Sequence, residues 1–229
     1  MDRILSTKKL RLNQKMLLLN ANCSFVEYDA IKIEFIPFEV PERIQNAIFT
    51  SQNAVRSVFG NICSSAVDNS LKIQNCFCVG QKTASLLTKK DQNTIKIFEY
   101  GSDLASFIVK RHKNENFYFF CGNKRLETIP SELKKAKIEI IEIETYKTSL
   151  NLKKFHQQFH GILFFSPSGV QSYFEANNNQ KSEETETQLF CIGETTATAA
   201  RKYSENVIVS NATSIESVIA KAVKTLTTL

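Results

Sequence analysis

The sequence predicts an open α/β protein built on parallel sheets. Two strand-to-helix handovers and one long repetition carry that prediction. Ile162–Phe165 is an apolar run that breaks at Ser166-Pro167-Ser168-Gly169 into an amphipathic segment. Leu189–Ile192 is a second apolar run, and it breaks at Gly193-Glu194-Thr195-Thr196 into an Ala-rich helical pattern. An apolar run, then small hydroxylated residues, then helical periodicity is how a buried parallel strand passes to a helix N-terminus. Two such units in succession mean an open α/β sheet, whose binding crevice lies at the loops after the strand carboxyl ends. Both handovers have an earlier copy, Ala47–Phe59 (AIFTSQNAVRSVF) and Phe77–Leu87 (FCVGQKTASLL). Ser51 then corresponds to Ser166 and Gly80 to Gly193. The separation is about 115 residues, roughly half the chain, which signals an internal duplication and not a short-period solenoid. The same offset carries Leu5-Ser6-Thr7-Lys8 onto Cys121-Gly122-Asn123-Lys124.

Taken in order, Arg3–Ser6 is a short strand and Lys9–Asn20 a helix with Leu10, Leu17 and Leu18 inward. Ser24–Tyr28 is the next strand. Ile31–Phe38 alternates apolar with charged residues and reads as a half-exposed connector, punctuated by Pro37 and Pro41. Ala47–Phe49 is a buried strand, and Ser51 caps the helix from Asn53 to Phe59. Cys76–Val79 precedes a helix opened by Thr83–Leu87. Thr94–Phe98 precedes a helix over Ser102–Lys110 with Ser102 as its cap. Phe117–Phe120 is a strand, and Ile129–Ala136 a helix with Pro130 in its tolerant first turn. Ile138–Ile143 begins a strand that runs on, alternating, to Thr148. Asn151–His160 reads as a basic helix, and residues 177–187 as a polar mobile loop. Val207–Val209 is the last strand. Ser214 caps the last helix, with Ile215, Val218, Ile219 and Val223 inward. The order is A–B–A′–B′ with two half-exposed connector strands, which fits two consecutive domains or a cross-assembled pair.

Composition narrows the function. The chain has 229 residues, a formal net charge of +6 and 42% apolar residues. No run of about 18 apolar residues is present, so no membrane-spanning helix is expected. MDRILSTKK enters a strand pattern without a secretory apolar region, so a cytoplasmic location is expected. Cys76, Cys78, Cys121 and Cys191 sit in or beside apolar runs and read as small buried hydrophobes. His156 and His160 are spaced as one helical face would require, but no third ligand accompanies them, so no metal site is expected. The positive charge favours an anionic ligand. No basic stripe with interleaved aromatics argues for nucleic acid.

The polar residues at the strand ends are Thr7, Thr50, Ser51, Thr83, Ser166, Ser168, Thr195 and Thr196. None has a His or Cys partner at motif spacing, and the SxxK, GxSxG, GxGxxG and GxxxxGK[ST] patterns are absent. What remains is a set of helix N-termini with free backbone N–H groups, suited to carboxylate or phosphate. Lys8, Lys9 and Arg11, and Lys124 and Arg125, stand at loops that follow apolar strands. Helix capping accounts for the same hydroxyls, and capping and ligand contact are compatible.

These residues together resemble a known family, uroporphyrinogen-III synthase. The resemblance rests on Ile48–Val55 (IFTSQNAV), Val79–Leu87 (VGQKTASLL), Phe120–Leu133 (FCGNKRLETIPSEL), Ile141–Thr148 (IEIETYKT), Phe164–Phe174 (FFSPSGVQSYF) and Ile192–Ala200 (IGETTATAA). They span nearly the whole chain in the family's order. The first strand of the family is usually followed by Thr-Arg. Here it is Thr7-Lys8, which keeps the charge and loses the bidentate fork.

The resemblance implies two flavodoxin-like parallel-sheet domains joined by a two-stranded β-ladder, with a cleft between them for the substrate. Residues 1–35 would join 149–229, residues 42–140 would form the other domain, and 36–41 with 141–148 would connect them. The implied reaction closes the linear tetrapyrrole hydroxymethylbilane to uroporphyrinogen III, with loss of water and inversion of the terminal pyrrole ring. It implies no cofactor, a polycarboxylate small molecule as the only partner, and a monomer. Tyr146 matches the family's cleft tyrosine and Thr196 its cleft threonine. Thr7, Lys8, Ser51, Gly80, Lys82, Thr83, Gly122, Asn123, Lys124, Ser166, Ser168, Gly193 and Thr195 complete the expected substrate contacts. The competing function is a non-catalytic two-domain α/β module that binds a small polyanion.

Overall fold

A computed structural model of the chain describes residues 1–60, 71–177 and 187–227. In chain order the elements are β1 (Arg3–Ser6), α1 (Leu12–Leu19), β2 (Ser24–Glu27), β3 (Ile31–Phe35), β4 (Arg43–Phe49), α2 (Gln52–Phe59), β5 (Lys72–Val79), α3 (Gln81–Thr88), β6 (Thr94–Phe98) and α4 (Gly101–Arg111). They continue with β7 (Phe117–Gly122), α5 (Thr128–Lys135), β8 (Ile140–Leu150), β9 (Gly161–Phe164), α6 (Pro167–Asn177), β10 (Gln188–Cys191), α7 (Glu194–Ala200), β11 (Val207–Val209) and α8 (Ile215–Leu226). The chain divides into two compact units. One is Met1–Lys32 with Ser149–Leu229, the other Ile33–Thr148. The division falls inside β3 and inside β8.

The first unit holds a five-stranded sheet in the order β11-β10-β9-β1-β2, with every neighbouring pair parallel. Counted along the chain this is the flavodoxin order, 2-1-3-4-5. Apolar side chains line both faces. Leu5, Ile162, Phe164, Leu189 and Cys191 pack with Val170 of α6 and Ala197 of α7. Ile4, Leu163 and Phe190 pack with Leu18 of α1 and Val218, Ile219 and Ala222 of α8. Burial of a side chain of this size contributes about 1.5–3 kcal/mol.

The second unit holds a six-stranded sheet, β3-β8-β7-β4-β5-β6, in which β4 to β8 pair in parallel. Taking β7 and β8 first, its five parallel strands also run 2-1-3-4-5. The duplication therefore survives as topology: β7 and β8 answer β1 and β2, and β4, β5, β6 answer β9, β10, β11. Phe49, Cys76, Cys78 and Phe120 pack on one face with residues of α2 and α3. Ile48, Phe77, Phe117 and Phe119 pack on the other with residues of α4 and α5. Phe49 and Phe120 stack at 5.2 Å.

Several elements differ from the sequence expectation, each for a local reason. α1 is shorter than Lys9–Asn20, and Leu17 is exposed while Leu10 and Leu18 are buried. β4 and β5 begin earlier than expected. Their polar residues pair inside the sheet, because the fully buried Asn46 amide donates to Glu115 Oε2 at 2.8 Å and accepts from Asn75 Nδ2 at 3.0 Å. α4 starts at Gly101 with Tyr100 as its N-cap, so Ser102 lies inside the first turn. Residues 151–160 form no helix. Phe155 and Phe159 plug the first unit's core, and the Asn177 side chain takes over the backbone bonding, accepting from Phe155 N at 2.9 Å and donating to Lys153 O at 2.9 Å. His156 and His160 are consequently exposed and share no helical face. The expected loop at 177–187 falls almost wholly outside the described residues.

Five cysteines, Cys23, Cys76, Cys78, Cys121 and Cys191, are buried free thiols. Among the described residues no cluster of His, Cys, Asp and Glu could hold a metal ion, and no helix is long and apolar enough to cross a membrane.

Candidate active site

In each unit the strand order reverses at one point, and the two loops flanking it leave on opposite faces of the sheet. Such a switch point is where open α/β sheets bind ligands. In the first unit it lies between β1 and β9. Thr7 follows β1, is nearly buried, and donates its hydroxyl to Leu163 O at 2.7 Å. Ser166 follows β9 and accepts from Gly169 N at 3.1 Å, capping α6 ahead of Pro167. A Cβ on Gly169 would sit 3.4 Å from both the Thr7 and the Ser166 hydroxyl oxygens, so these two loops meet over that glycine. Ser168 is half-buried in the first turn of α6, and the Lys8 side chain is exposed beside Thr7.

The neighbouring loop follows β10. Gly193 has φ −175°, ordinary extended backbone, and its carbonyl accepts from Thr196 N and Ala197 N. A left-handed turn is therefore not what places glycine there. Thr195 is exposed. Thr196 is 3% exposed, yet its hydroxyl makes no hydrogen bond among the described residues.

The second unit repeats the plan with different details. Its switch point lies between β4 and β7. Ser51 follows β4 and accepts from Asn53 N at 3.1 Å, capping α2 as the sequence suggests. After β5, Gly80 does adopt a left-handed φ of +86°. Its carbonyl accepts from Thr83 N at 3.0 Å and Ala84 N at 3.1 Å. A Cβ there would lie 3.9 Å from the Thr83 hydroxyl oxygen. Thr83 is buried like Thr196, and its hydroxyl is likewise unpaired among the described residues. Two repeat-related threonines thus stand in the first turns of α3 and α7 with a free hydroxyl. The Lys82 side chain is exposed beside Thr83.

After β7 come Gly122, Asn123 and Lys124. Gly122 lies in register with Tyr146 of β8, just past a bulge. The Tyr146 ring covers it, and a Cβ on Gly122 would fall 2.5 Å from Tyr146 Cε2 and Cζ. Tyr146 is half-buried, and its hydroxyl makes no hydrogen bond among the described residues. Asn123 is engaged in structure: its side chain accepts from Thr148 N at 2.8 Å and donates to Thr148 O at 3.3 Å, extending the ladder by one rung. Lys124 is exposed without an ion pair among the described residues. The next residue, Arg125, is committed to Glu142 and Glu127. Burial works against ionised Glu142, but the hydrogen bonds from Lys134 and Arg125 outweigh it and hold its carboxyl below the usual range.

Residues that sequence reasoning missed sit beneath Tyr146. Thr145 is the extra residue of the bulge and is fully buried. Its carbonyl accepts from the buried Ser57 hydroxyl at 2.8 Å and from Ile36 N at 3.1 Å. The signal was present: apolar residues at 141 and 143 are followed by Tyr146, a step of three where alternation requires two.

The family model described as "Uroporphyrinogen-III synthase HemD" matches residues 21–220. The chain belongs to the uroporphyrinogen-III synthase family. It is a lyase-type enzyme that closes hydroxymethylbilane to uroporphyrinogen III in tetrapyrrole biosynthesis, and the match does not support a non-catalytic binding module. The matched span begins after Thr7 and Lys8. No curated protein matches the sequence significantly. Among solved structures, uroporphyrinogen-III synthetase from Helicobacter pylori aligns with a TM-score of 0.71 at 13% identity, covering 98% of this chain and 100% of that one. A mutant uroporphyrinogen III synthase from Thermus thermophilus aligns at 0.64 with 14% identity, covering 100% of each chain. At such identities these likenesses speak for the two-domain α/β fold of the family.

Proposed function

We propose that the chain performs this ring closure mainly by holding its substrate folded, with Tyr146 assisting the departing hydroxyl. The bilane's terminal hydroxyl leaves as water, its second proton coming in net from the pyrrole N–H, and the electron-rich ring stabilises the neutral azafulvene that remains. Little acid catalysis is then required. The larger task is to bring the terminal pyrrole's substituted carbon to the azafulvene methylene before the unsubstituted carbon reacts; the original methylene bond to that carbon then breaks and re-forms at the unsubstituted carbon, which gives up its proton, and the ring is inverted. Backbone N–H groups at the helix N-termini, the free hydroxyls of Thr83 and Thr196, and the lysines Lys8, Lys82 and Lys124 suit the substrate's carboxylates. Thr7, Ser51 and Ser166 shape the loops that present those donors, and Ser168, Gly193 and Thr195 offer further contacts on α6 and α7.

One observation carries the assignment of Tyr146. It is a half-buried phenol on β8 in register with Gly122, the last residue of β7, with no hydrogen-bond partner among the described residues, beside the Thr145 and Tyr146 carbonyls, which both accept hydrogen bonds. A donor aimed at developing charge in a dry site is worth roughly 2.7–4 kcal/mol. Here the site is half-open and the leaving group departs as neutral water, so Tyr146→Phe is expected to lower turnover on the order of tenfold to a hundredfold. The deciding experiment is isomer analysis of the oxidised product from pure protein given hydroxymethylbilane without metal or nucleotide. Type III product is expected. Type I alone, the product of uncatalysed closure, from folded protein would refute the reading.

A further inference from the structure

We infer that Gly122 is a positioning residue for Tyr146 and not a substrate contact, with the Thr145 bulge and Asn123 as the other parts of one seat. The inference rests on the assignment of Tyr146 above and deepens it.

Side chains on β8 would alternate between the sheet faces without the bulge. Ile143 packs on the α2–α3 face, so the residue three positions on should point to the other side. Tyr146 nevertheless packs on the same face as Ile143. The reason is Thr145: Cys121 pairs with Glu144 and Gly122 with Tyr146, leaving Thr145 unpaired between them. One inserted residue re-aims every side chain beyond it. The bulge is held on both sides. Before it, the Thr145 carbonyl takes two donors, Ser57 Oγ and Ile36 N, and the Thr145 hydroxyl points to Cys121 O at 3.4 Å. After it, Asn123 N donates to Tyr146 O at 3.3 Å and the Asn123 amide grips Thr148 in both directions.

Gly122 supplies the floor. The ring edge that carries the hydroxyl, Cε2 and Cζ, lies where any side chain's first carbon would come within 2.5 Å. Carbon atoms in contact stay about 3.5–4.0 Å apart. A methyl at this position therefore displaces the ring by roughly 1 Å, and the hydroxyl, attached to Cζ, moves with it. A misplacement of about 1 Å in a reacting group can cost up to about a hundredfold in rate. The loss through this route has a ceiling, which is the loss on removing the hydroxyl altogether.

The test is a kinetic cycle of Gly122→Ala with Tyr146→Phe. Gly122→Ala is expected to lower kcat about tenfold with KM unchanged, and to add less than about twofold once Tyr146→Phe is present. A rise in KM that persists in the Tyr146→Phe background would instead mean that Gly122 meets the substrate, and would overturn the inference while leaving the tyrosine's role intact. Multiplying losses in kcat would overturn it in the same way. Full activity of Tyr146→Phe would refute the reading beneath it. Should Gly122→Ala fail to fold, Gly122→Ala with Tyr146→Ala must fold, because the obstructing ring is gone, and failure to do so overturns the inference. Asn123→Ala introduces no overlap and supplies the same kinetic readout: a lower kcat that disappears in the Tyr146→Phe background.

Discussion

Replacing Gly80 and Gly193 each by alanine should separate two kinds of glycine that the repeat makes look alike. Gly80 has φ +86° and ψ 132°, a region that residues with a Cβ rarely adopt. Holding alanine there costs of order 1–3 kcal/mol. The stiffer unfolded chain returns about 0.4–1 kcal/mol, so a net loss of roughly 1–2 kcal/mol is expected. Steric overlap adds nothing, since the nearest atom to a Cβ is Thr83 Oγ1 at 3.9 Å. Gly193 has φ −175°, and its Cβ would meet only Thr213 Cγ2, at an ordinary 3.7 Å. Gly193→Ala should leave stability unchanged or raise it by about 0.4–1 kcal/mol through the unfolded chain alone. Urea unfolding followed by circular dichroism measures both, with the slope checked so that the midpoint shift reports stability. Equal losses, or a larger loss at Gly193, would refute the reasoning. A raised KM in Gly193→Ala at unchanged stability would show that the ligand approaches that backbone.

Three further outcomes follow from the same structure. Burial pushes the Cys76 and Cys191 thiols up to about 12 and those of Cys78 and Cys121 up to about 11, so the fold holds them neutral where unfolded thiols ionise. Stability should be complete below about pH 8.5 and fall as pH climbs towards 12; a urea midpoint flat from pH 8 to 11 would contradict this. Tyr28→Phe removes a buried hydroxyl that makes no hydrogen bond, the Ser172 hydroxyl beside it being spent on Asn151 O, so turnover should be unchanged and stability equal or up to about 1 kcal/mol higher; a loss of turnover in kinetic assay would give this tyrosine a role it is not assigned. Lys8→Ala should raise KM at low salt and lose that effect as salt rises, because the ammonium acts through charge alone; a KM effect independent of salt would indicate a dehydrated contact.

Strand positions were legible because parallel strands buried on both faces leave unbroken apolar runs such as Ile162–Phe165 and Phe117–Phe120. What failed was periodicity without context. Phe155 and Phe159 are spaced as on a helix, yet both are plugs on an irregular segment in which Phe155 N and Lys153 O bond the Asn177 side chain, a partner 22 residues from Phe155. The starts of β4 and β5 were missed because Asn46 and Asn75 look like loop residues, and their mutual bond, with that of Asn46 to Glu115, makes them tolerable in a sheet. The loops that follow the strands could be located from the handover pattern. Their internal division of labour could not. Ser51 and Ser166 are spent on caps, Asn123 on the ladder and Thr7 on Leu163 O, whereas Thr83 and Thr196 keep free hydroxyls. Residue type alone does not distinguish these cases.

The duplication also explains why only one of two repeat-related tyrosines keeps an open hydroxyl. β2 answers β8, and just beyond the pairing of Ser6 with Glu27 stands Tyr28, as Tyr146 stands beyond that of Cys121 with Glu144. The first unit has no extra residue in β2, and where the repeat gives the second unit Gly122 its β1 carries Ser6, which has a Cβ. Tyr28 accordingly packs into the core against Phe155, 4% exposed, with burial pushing its phenol up to about 12. In the second unit one inserted residue and one missing Cβ turn the equivalent ring onto Gly122 and leave its hydroxyl open. A side chain that only packs needs neither a bulge nor a glycine beneath it. Of the two repeat-related tyrosines only Tyr146 has both, and only its hydroxyl is left open for the role proposed above.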